Sequence, residues 1–129
     1  MPHFNVTIRT SGPVFDGRGV RTVRRFSEAA QKEVAEEGAR MVRQRLHQVL
    51  RHPTGYYEGH VAAEKVNSLW EVNDDGIVYG PWLEGTGSRN RTTRFKGYAT
   101  FRRTKALLDQ RAPQIAERRL PRYLSELNG

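Results

Sequence analysis

The sequence predicts an α+β domain: a small antiparallel sheet packed by a long helix in the first half of the chain, with a kinked C-terminal helix alongside. Three observations indicate this class. Apolar and polar residues alternate near the start, apolar residues then recur at steps of three and four, and strand-like stretches later flank a turn signal. The 129 residues have the size of one domain with one core, so residues 1–129 are assigned to a single domain.

The first element is a strand over residues 3–10. Phe4, Val6 and Ile8 lie on one face of an extended chain and polar residues lie on the other, as in a half-buried strand. Residues 11–19 are rich in glycine and include a proline, so we predict a loop there that acts as a hinge for the strand.

A long amphipathic helix follows over residues 20–51. Its apolar positions, spaced by three or four residues, are Val23, Phe26, Ala30, Val34, Met41 or Val42, Leu46, and Val49 or Leu50. Gly38 lies on the same face and costs about 1 kcal/mol relative to alanine, which indicates a bend or the close approach of another backbone. The charges form an acidic middle at residues 28–37 with arginines on both sides, and His-Pro-Thr-Gly at residues 52–55 ends the helix.

Two strand-like stretches come next, at residues 56–66 and 69–72. Asn-Asp-Asp-Gly at residues 73–76 and then Ile-Val-Tyr at residues 77–79 predict a β-hairpin around this turn. Pro81 ends the second strand and is well placed to begin a helical turn. We call residues 80–86, Gly-Pro-Trp-Leu-Glu-Gly-Thr, the knuckle, and expect Gly85 and Gly87 to take positive φ beside it.

Residues 87–100, which we call the basic loop, show no apolar period, so we expect an exposed, mobile loop that orders only on docking. Between Glu84 and Asp109 the chain has seven cations and no acidic residue. They are Arg89, Arg91, Arg94, Lys96, Arg102, Arg103 and Lys105, with Phe95, Tyr98 and Phe101 between them. Three interpretations stay open: a solvated loop, a contact with another subunit or ring, and direct contact with DNA.

A second helix is predicted towards the C-terminus. Its apolar residues are Leu108, Ala112, Ile115, Leu120, Leu124 and Leu127. Pro113 and Pro121 each remove a backbone donor and can begin a fresh turn, so we expect a kinked or segmented helix.

The composition restricts the function classes. A net charge of +8, dominated by arginine, favours an anionic partner: nucleic acid, an acidic protein surface or phospholipid. The absence of cysteine excludes disulfides and thiolate metal sites. No apolar run approaches the roughly 20 residues that span a bilayer, and the N-terminus does not look like a secretory signal, so we expect a soluble protein that is not exported and binds no membrane.

No catalytic, cofactor or metal site is expected. Gly80, Gly85 and Thr86 have the glycine spacing of a phosphate-binding loop, but the lysine that holds the phosphates is missing. The four histidines show no His-Glu-x-x-His pattern and are interpreted as surface or packing residues. Glu84 has no partnered base or nucleophile in the sequence, so we interpret it as a structural carboxylate paired with an arginine of its own or a neighbouring chain.

The order of these elements and the motif at the knuckle resemble the siphophage neck and tail-completion proteins, which join the DNA-filled head to a long non-contractile tail. Members of that family typically show Thr-Gly after the first helix, matched by Thr54 and Gly55, and a Tyr-Ala-Pro-Tyr-Val-Glu-x-Gly-Thr motif. The residues matching the second motif are Tyr79, Pro81, Trp82, Leu83, Glu84, Gly85 and Thr86. The resemblance covers residues 27–127; Gly80 replaces the usual alanine, Trp82 replaces tyrosine, and no clear proline-rich stretch precedes Phe101.

The resemblance implies a structural virion protein of a tailed phage, a neck, tail-terminator or minor tail protein that is assembled in the host cytoplasm and has no catalytic activity. Many copies would form a homo-oligomeric ring, six-fold or otherwise twelve-fold, between the head connector and the tail tube or terminator, around the channel through which the genomic DNA leaves. The alternative is a basic nucleic-acid-binding protein that uses the same loop on phosphates.

Two sets of residues are expected to carry these contacts. The expected assembly interface consists of Tyr79, Pro81, Trp82, Leu83, Glu84, Arg89, Arg91, Arg94, Phe95, Lys96 and Tyr98. The residues expected to contact DNA or line the channel are Arg89, Arg91, Arg94, Lys96, Arg102 and Arg103.

Overall fold

The computed structural model describes residues 2–6, 20–50, 55–67 and 69–128. In this part of the chain it shows the predicted α+β fold, with a three-stranded antiparallel sheet. The strands are β1 (His3–Val6), β2 (Ala62–Val66) and β3 (Leu69–Asn73), and the helices are α1 (Val20–Val49), α2 (Tyr56–Gly59), α3 (Gly80–Glu84), α4 (Arg89–Thr92) and α5 (Thr100–Asn128). The predicted hinge at residues 11–19, the end of the first strand at residues 7–10, and Thr54 lie outside the described residues.

The sheet has the order β1-β3-β2, with β3 antiparallel to both neighbours. Phe4 of β1 pairs with Val72 of β3, and Val66 of β2 pairs with Leu69 of β3. The second pairing leaves two residues between the strands, so β2 and β3 form a tight hairpin.

The prediction of a hairpin around residues 73–76 with a second strand at 77–79 is wrong. The backbone N–H of Gly80 donates to the carbonyl of Ile77 at 2.9 Å, which makes this stretch a turn, and Val78 is 93% exposed. A strand returning from residues 73–76 would have to lie beside β3, whose two edges are already taken by β1 and β2. The β-propensity of Ile-Val-Tyr therefore finds no partner strand.

The predicted strand at residues 56–66 is wrong in its first half, where the chain forms α2. Gly55 takes a φ of 88° and precedes the helix, and its N–H donates to Oε1 of Glu58 at 3.2 Å. This local cap outweighs the β-propensity of the two tyrosines. The second half, β2, confirms the prediction.

Helix α1 packs against the sheet and against α5, and the core lies between the three. At its centre, a Cβ placed on Gly38 would lie 2.8 Å from Cδ2 of Leu108, 3.2 Å from Phe4 and 3.3 Å from Val72. Glycine therefore stands where side chains of the sheet and of α5 converge on α1. The sequence predicted the close approach of another backbone, or a bend, at Gly38; the groups that approach it are side chains, so the first alternative is wrong.

The C-terminal helix is longer and more continuous than predicted. It begins at Thr100 and includes both Pro113 and Pro121, so it is one helix rather than a set of segments. Both prolines are exposed, so their rings add no bulk to the packed face of the helix. Phe101, Leu108 and Ile115, at steps of seven residues, bury one face of α5 in the core.

Candidate assembly surface

The knuckle begins as predicted, with Pro81 in the first turn of α3. Helix α3 ends at Gly85, which takes a φ of 104°. Gly80 is buried, and a Cβ there would lie only 1.9 Å from Oδ2 of Asp74. Alanine does not fit at this position unless the buried Asp74 carboxylate shifts.

The side chain of Asp74 is fully buried and ties the knuckle to the core. Its Oδ2 accepts a hydrogen bond from the hydroxyl of Tyr57 at 2.8 Å, and its Oδ1 accepts one from the backbone N–H of Gly76 at 3.1 Å. Burial, and after it the hydrogen bond to Asp74, raise the pKa of Tyr57, so its hydroxyl stays a neutral donor. The ring of Tyr57 also lies 5.6 Å from that of Tyr79, at the start of α3.

The basic loop is closed at its base by two backbones in contact. The N–H of Tyr98 donates to the carbonyl of Leu83 at 2.7 Å, and the N–H of Ala99 donates to that of Glu84 at 3.1 Å. Gly97 takes a φ of 89°, and a Cβ on it would lie 2.2 Å from Cα of Gly85. Only glycine at both positions lets the chain leave the knuckle and return to it at this distance.

Glu84 caps helix α5. Its Oε1 accepts a hydrogen bond from the backbone N–H of Phe101 at 2.8 Å, and its Oε2 accepts one from that of Arg102 at 3.1 Å. A carboxylate here satisfies two helix N–H groups that have no partner within the helix, and its charge is favourable at the positive end of the helix dipole. Among the described residues Glu84 pairs with no arginine, because both of its oxygens bind backbone amides; its pairing with an arginine of a neighbouring chain stays a prediction.

Asn90 holds the interior of the basic loop. The side chain is 3% exposed; its Nδ2 donates to the carbonyls of Trp82 and Phe95, both at 3.1 Å, and its Oδ1 accepts from the N–H of Gly87 at 2.9 Å. One amide side chain thus connects the knuckle, the start of the loop and its far side. The N–H of Gly87 also donates to the carbonyl of Pro81 at 3.1 Å, and the carbonyl of Phe95 also accepts from the hydroxyl of Thr93 at 3.3 Å, so Asn90 is one member of a local hydrogen-bond network.

An aromatic row lies beside this amide. The ring centroids of Trp82 and Phe95 are 4.9 Å apart, and those of Phe95 and Tyr98 are 5.0 Å apart. Nζ of Lys96 donates to the carbonyl of Asn90 at 2.8 Å, so this cation is engaged at the end of α4. The structure contains a helical turn, α4, where the sequence predicted only an exposed loop, because the amide, the aromatic row and the closed base organise the chain without any apolar period; the mobility of the loop in the free protein stays a prediction. The prediction of a positive φ is confirmed for Gly85 and is wrong for Gly87.

Five arginines remain directed to solvent on this surface: Arg89, Arg91, Arg94, Arg102 and Arg103. None of them pairs with a carboxylate of the described residues. The acidic middle of α1, by contrast, is partly paired within the chain. Glu28 binds Lys65 at 2.6 Å, and a hydrogen bond from Arg40 lowers the pKa of Glu37, which Arg111 also contacts.

Comparisons with protein-family models, curated proteins and solved structures found no match.

Within the part of the chain that the structure describes, no three histidine, aspartate or glutamate side chains are placed to hold a metal ion. Of the helices in that part, none is long and apolar enough to cross a membrane. Two of the histidines have local partners: Nδ1 of His47 lies 3.0 Å from Oε2 of Glu58, and Nδ1 of His60 lies 2.6 Å from the carbonyl oxygen of Tyr56.

The sequence singled out the exposed arginines and the aromatic residues of this surface, but it missed several of the residues that support them. The structure brings together Trp82, Glu84, Phe95 and Tyr98 as a supporting layer, with the arginines outside it. Asn90, Gly97 and the Tyr57–Asp74 pair were missed. The glycines near the two ends of the basic loop, Gly85 and Gly97, could have indicated that its base is closed. Asn90 lies within a polar run, and nothing in the sequence distinguishes it from neighbours that face solvent.

Proposed function

We propose that the protein is a structural virion protein of a tailed phage that forms a ring in the neck, between the head connector and the tail, and contributes to head–tail joining and to the genome exit channel. The ring is six-fold, with twelve-fold as the second choice. The observation that carries the proposal is that the motif shared with the neck and tail-completion proteins forms the fixed base of an arginine surface without acidic partners among the described residues.

The rigidity of this surface supports an assembly role. The closed base, the Asn90 hydrogen bonds and the capping by Glu84 connect the loop to the knuckle and to α5 within the single chain, so the proposal takes the loop to be ordered before a partner arrives. A preorganised surface avoids the ordering cost that a mobile loop would incur on binding. Docking therefore joins two preformed surfaces, rather than ordering a loop.

The chemistry of the surface supports a protein partner with carboxylates. Arginine forks form bidentate pairs with carboxylate groups, and aromatic residues with arginine are the enriched types at interface centres. Trp82, Phe95 and Tyr98 are each half-buried by the chain itself, so part of every ring remains for a neighbouring subunit. A neighbour that contributes glutamates from its own α1 fits this pattern.

Assembly of the purified protein with head-connector and tail-tube proteins from the same genome tests the proposal, by mass photometry and electron microscopy. We expect rings on the partner for the wild type and loss of rings for the triple variant Arg89→Ser, Arg91→Ser, Arg94→Ser. The matched control removes three exposed cations elsewhere, at Arg24, Lys32 and Arg118, and is expected to assemble. Incorporation of the wild type only as a monomer contradicts the proposal.

A nucleic-acid-binding role is the second candidate, because Arg102 and Arg103 extend the cationic surface onto the first turn of α5. It predicts that DNA affinity falls steeply with salt and that the triple variant makes the slope shallower. The neck proposal predicts lost assembly with a modest change in DNA affinity. Measuring both on the same variants separates the two candidates.

A further inference from the structure

An open groove of about 450 Å³ lies between the C-terminal half of α1 and the N-terminal half of α5. It lies apart from the knuckle and from the basic loop, none of whose residues line it. The lining residues are Met41, Gln44, Arg45, Gln48, Arg103, Thr104, Leu107 and Arg111. Two helices that pack side by side form such a groove, and a third helix can lie in it.

The groove has one sign of charge. Three of its lining residues are arginines and none is acidic. Arg45 and Arg103 are exposed and have no ion-pair partner among the described residues. Arg111 contacts Glu37 at 3.4 Å, but that carboxylate already accepts a hydrogen bond from Nε of Arg40 at 2.9 Å. The groove therefore presents guanidinium donors that are free to bind an anion.

The groove also has an apolar part. Leu107 is 52% exposed, although it lies on a helix that buries Leu108 and Thr104 beside it, and Met41 lines the same groove from α1. Exposed leucine between arginines suits a partner that has both an apolar side chain and carboxylates. A phosphate backbone offers no apolar group of this kind, so these observations favour protein over nucleic acid.

We propose that this groove is a docking site for an acidic amphipathic helix of a partner protein. Carboxylates of that helix pair with Arg45 and Arg103, and one of its apolar side chains lies against Leu107 and Met41. The amide groups of Gln44 and Gln48 face the polar side of the same helix. The proposal does not depend on the neck function, because Arg45, Met41 and Leu107 lie outside the expected assembly surface; Arg103 is shared between that surface and the groove.

Fluorescence anisotropy with a labelled synthetic helix that carries glutamates on one side and leucines on the other tests the proposal. We expect the double variant Arg45→Ser, Arg103→Ser to weaken binding by about tenfold or more, since hydrogen bonds to charged groups are worth roughly 1.5–3 kcal/mol. Leu107→Ser, which keeps the charges, is expected to weaken binding several-fold. All three positions are exposed, so the variants are expected to fold, which circular dichroism checks.

Two controls distinguish docking from general attraction to a basic protein. The double variant Arg89→Ser, Arg91→Ser removes the same charge from the basic loop and is expected to leave peptide binding unchanged; an equal loss would overturn the proposal. The same peptide with glutamines in place of glutamates is expected not to bind. An unaffected Leu107→Ser variant, or duplex DNA that competes for the peptide and loses affinity with Arg45 and Arg103, would also overturn it.

Discussion

The helix–sheet core and the basic loop are held together in different ways. The core buries apolar side chains from α1, the sheet and α5, and many small contacts share the stability. The basic loop buries few apolar groups and depends on single polar or backbone contacts: the Gly85–Gly97 approach, Asn90 and the carboxylate of Glu84. Loss of one contact should therefore affect the two regions unequally, because a core side chain can shift whereas a backbone in contact with a backbone cannot.

The largest expected effect is at the base of the loop. Gly97→Ala places a Cβ against the backbone of Gly85 and Glu84, at a φ that alanine disfavours by roughly 1–2 kcal/mol. The backbone strain and the overpacking act together, so we expect the free energy of unfolding to fall by about 3 kcal/mol. Denaturant titration measures it, and hydrogen exchange at the amides of Tyr98 and Ala99 locates it in the loop.

Gly38→Ala in the core is the matched control. Its Cβ meets only side chains, of which the closest is the end of Leu108 at 2.8 Å, and alanine gains roughly 1 kcal/mol of helix propensity. We therefore expect a smaller change than at Gly97. A core variant that is as damaging as the loop variant would show that the two regions are equally rigid.

The next effect concerns the buried hydrogen bond between Tyr57 and Asp74. Tyr57→Phe removes a donor from a fully buried carboxylate, so we expect a loss of about 2 kcal/mol, whereas Tyr79→Phe, with its half-exposed ring, should change little. Because the folded pKa of Tyr57 is raised, its contribution is complete below the ordinary tyrosine pKa of about 10 and is lost as pH rises above it. The wild type should lose more stability than Tyr57→Phe between neutral pH and pH above 10. Equal pH profiles of the two proteins would show that Tyr57 does not cause the loss.

The smallest effect is at the junction of the loop with α5. Glu84→Ala removes two acceptors from the helix N-terminus and should cost about 1 kcal/mol of the isolated protein's stability. Glu84→Gln keeps one acceptor and should lose less. Thermal unfolding of the monomer is the measurement. Unchanged stability in both variants, with lost assembly, would instead support the earlier interpretation of an arginine contact between subunits.

The sequence predicts a helix or strand correctly where apolar residues recur at a regular spacing and so mark its buried face. The apolar steps in α1, the alternation in β1 and the run that forms β3 were each found from spacing, and Pro81 correctly indicated the start of α3. The same local patterns failed at residues 77–79 and 56–59. At residues 77–79 no strand pairing was available, because both edges of β3 are already taken. At residues 56–59 the local cap made by Gly55 and Glu58 decided the conformation.

The assembly surface was only half predictable. Its arginines and aromatic residues are visible in the sequence as a run of cations without acids. Their support is not, because Asn90 bonds to Trp82 eight residues away and Glu84 bonds to amides seventeen and eighteen residues away. Contacts at such separations leave no period, so nothing in the sequence indicated the single polar groups that connect the loop to the knuckle and to α5.

The sequence by itself determined the fold class, the long helix, the net charge of +8 and the concentration of cations between Glu84 and Asp109. These follow from composition and from periods that each element carries within itself. Only the tertiary structure decided that both edges of β3 are taken, that Glu84 faces a helix end rather than an arginine, and that α1 and α5 leave a cationic groove between them. The physical reason is that each of these features depends on which groups meet although they are distant in the sequence, and the period within a single element does not record such contacts.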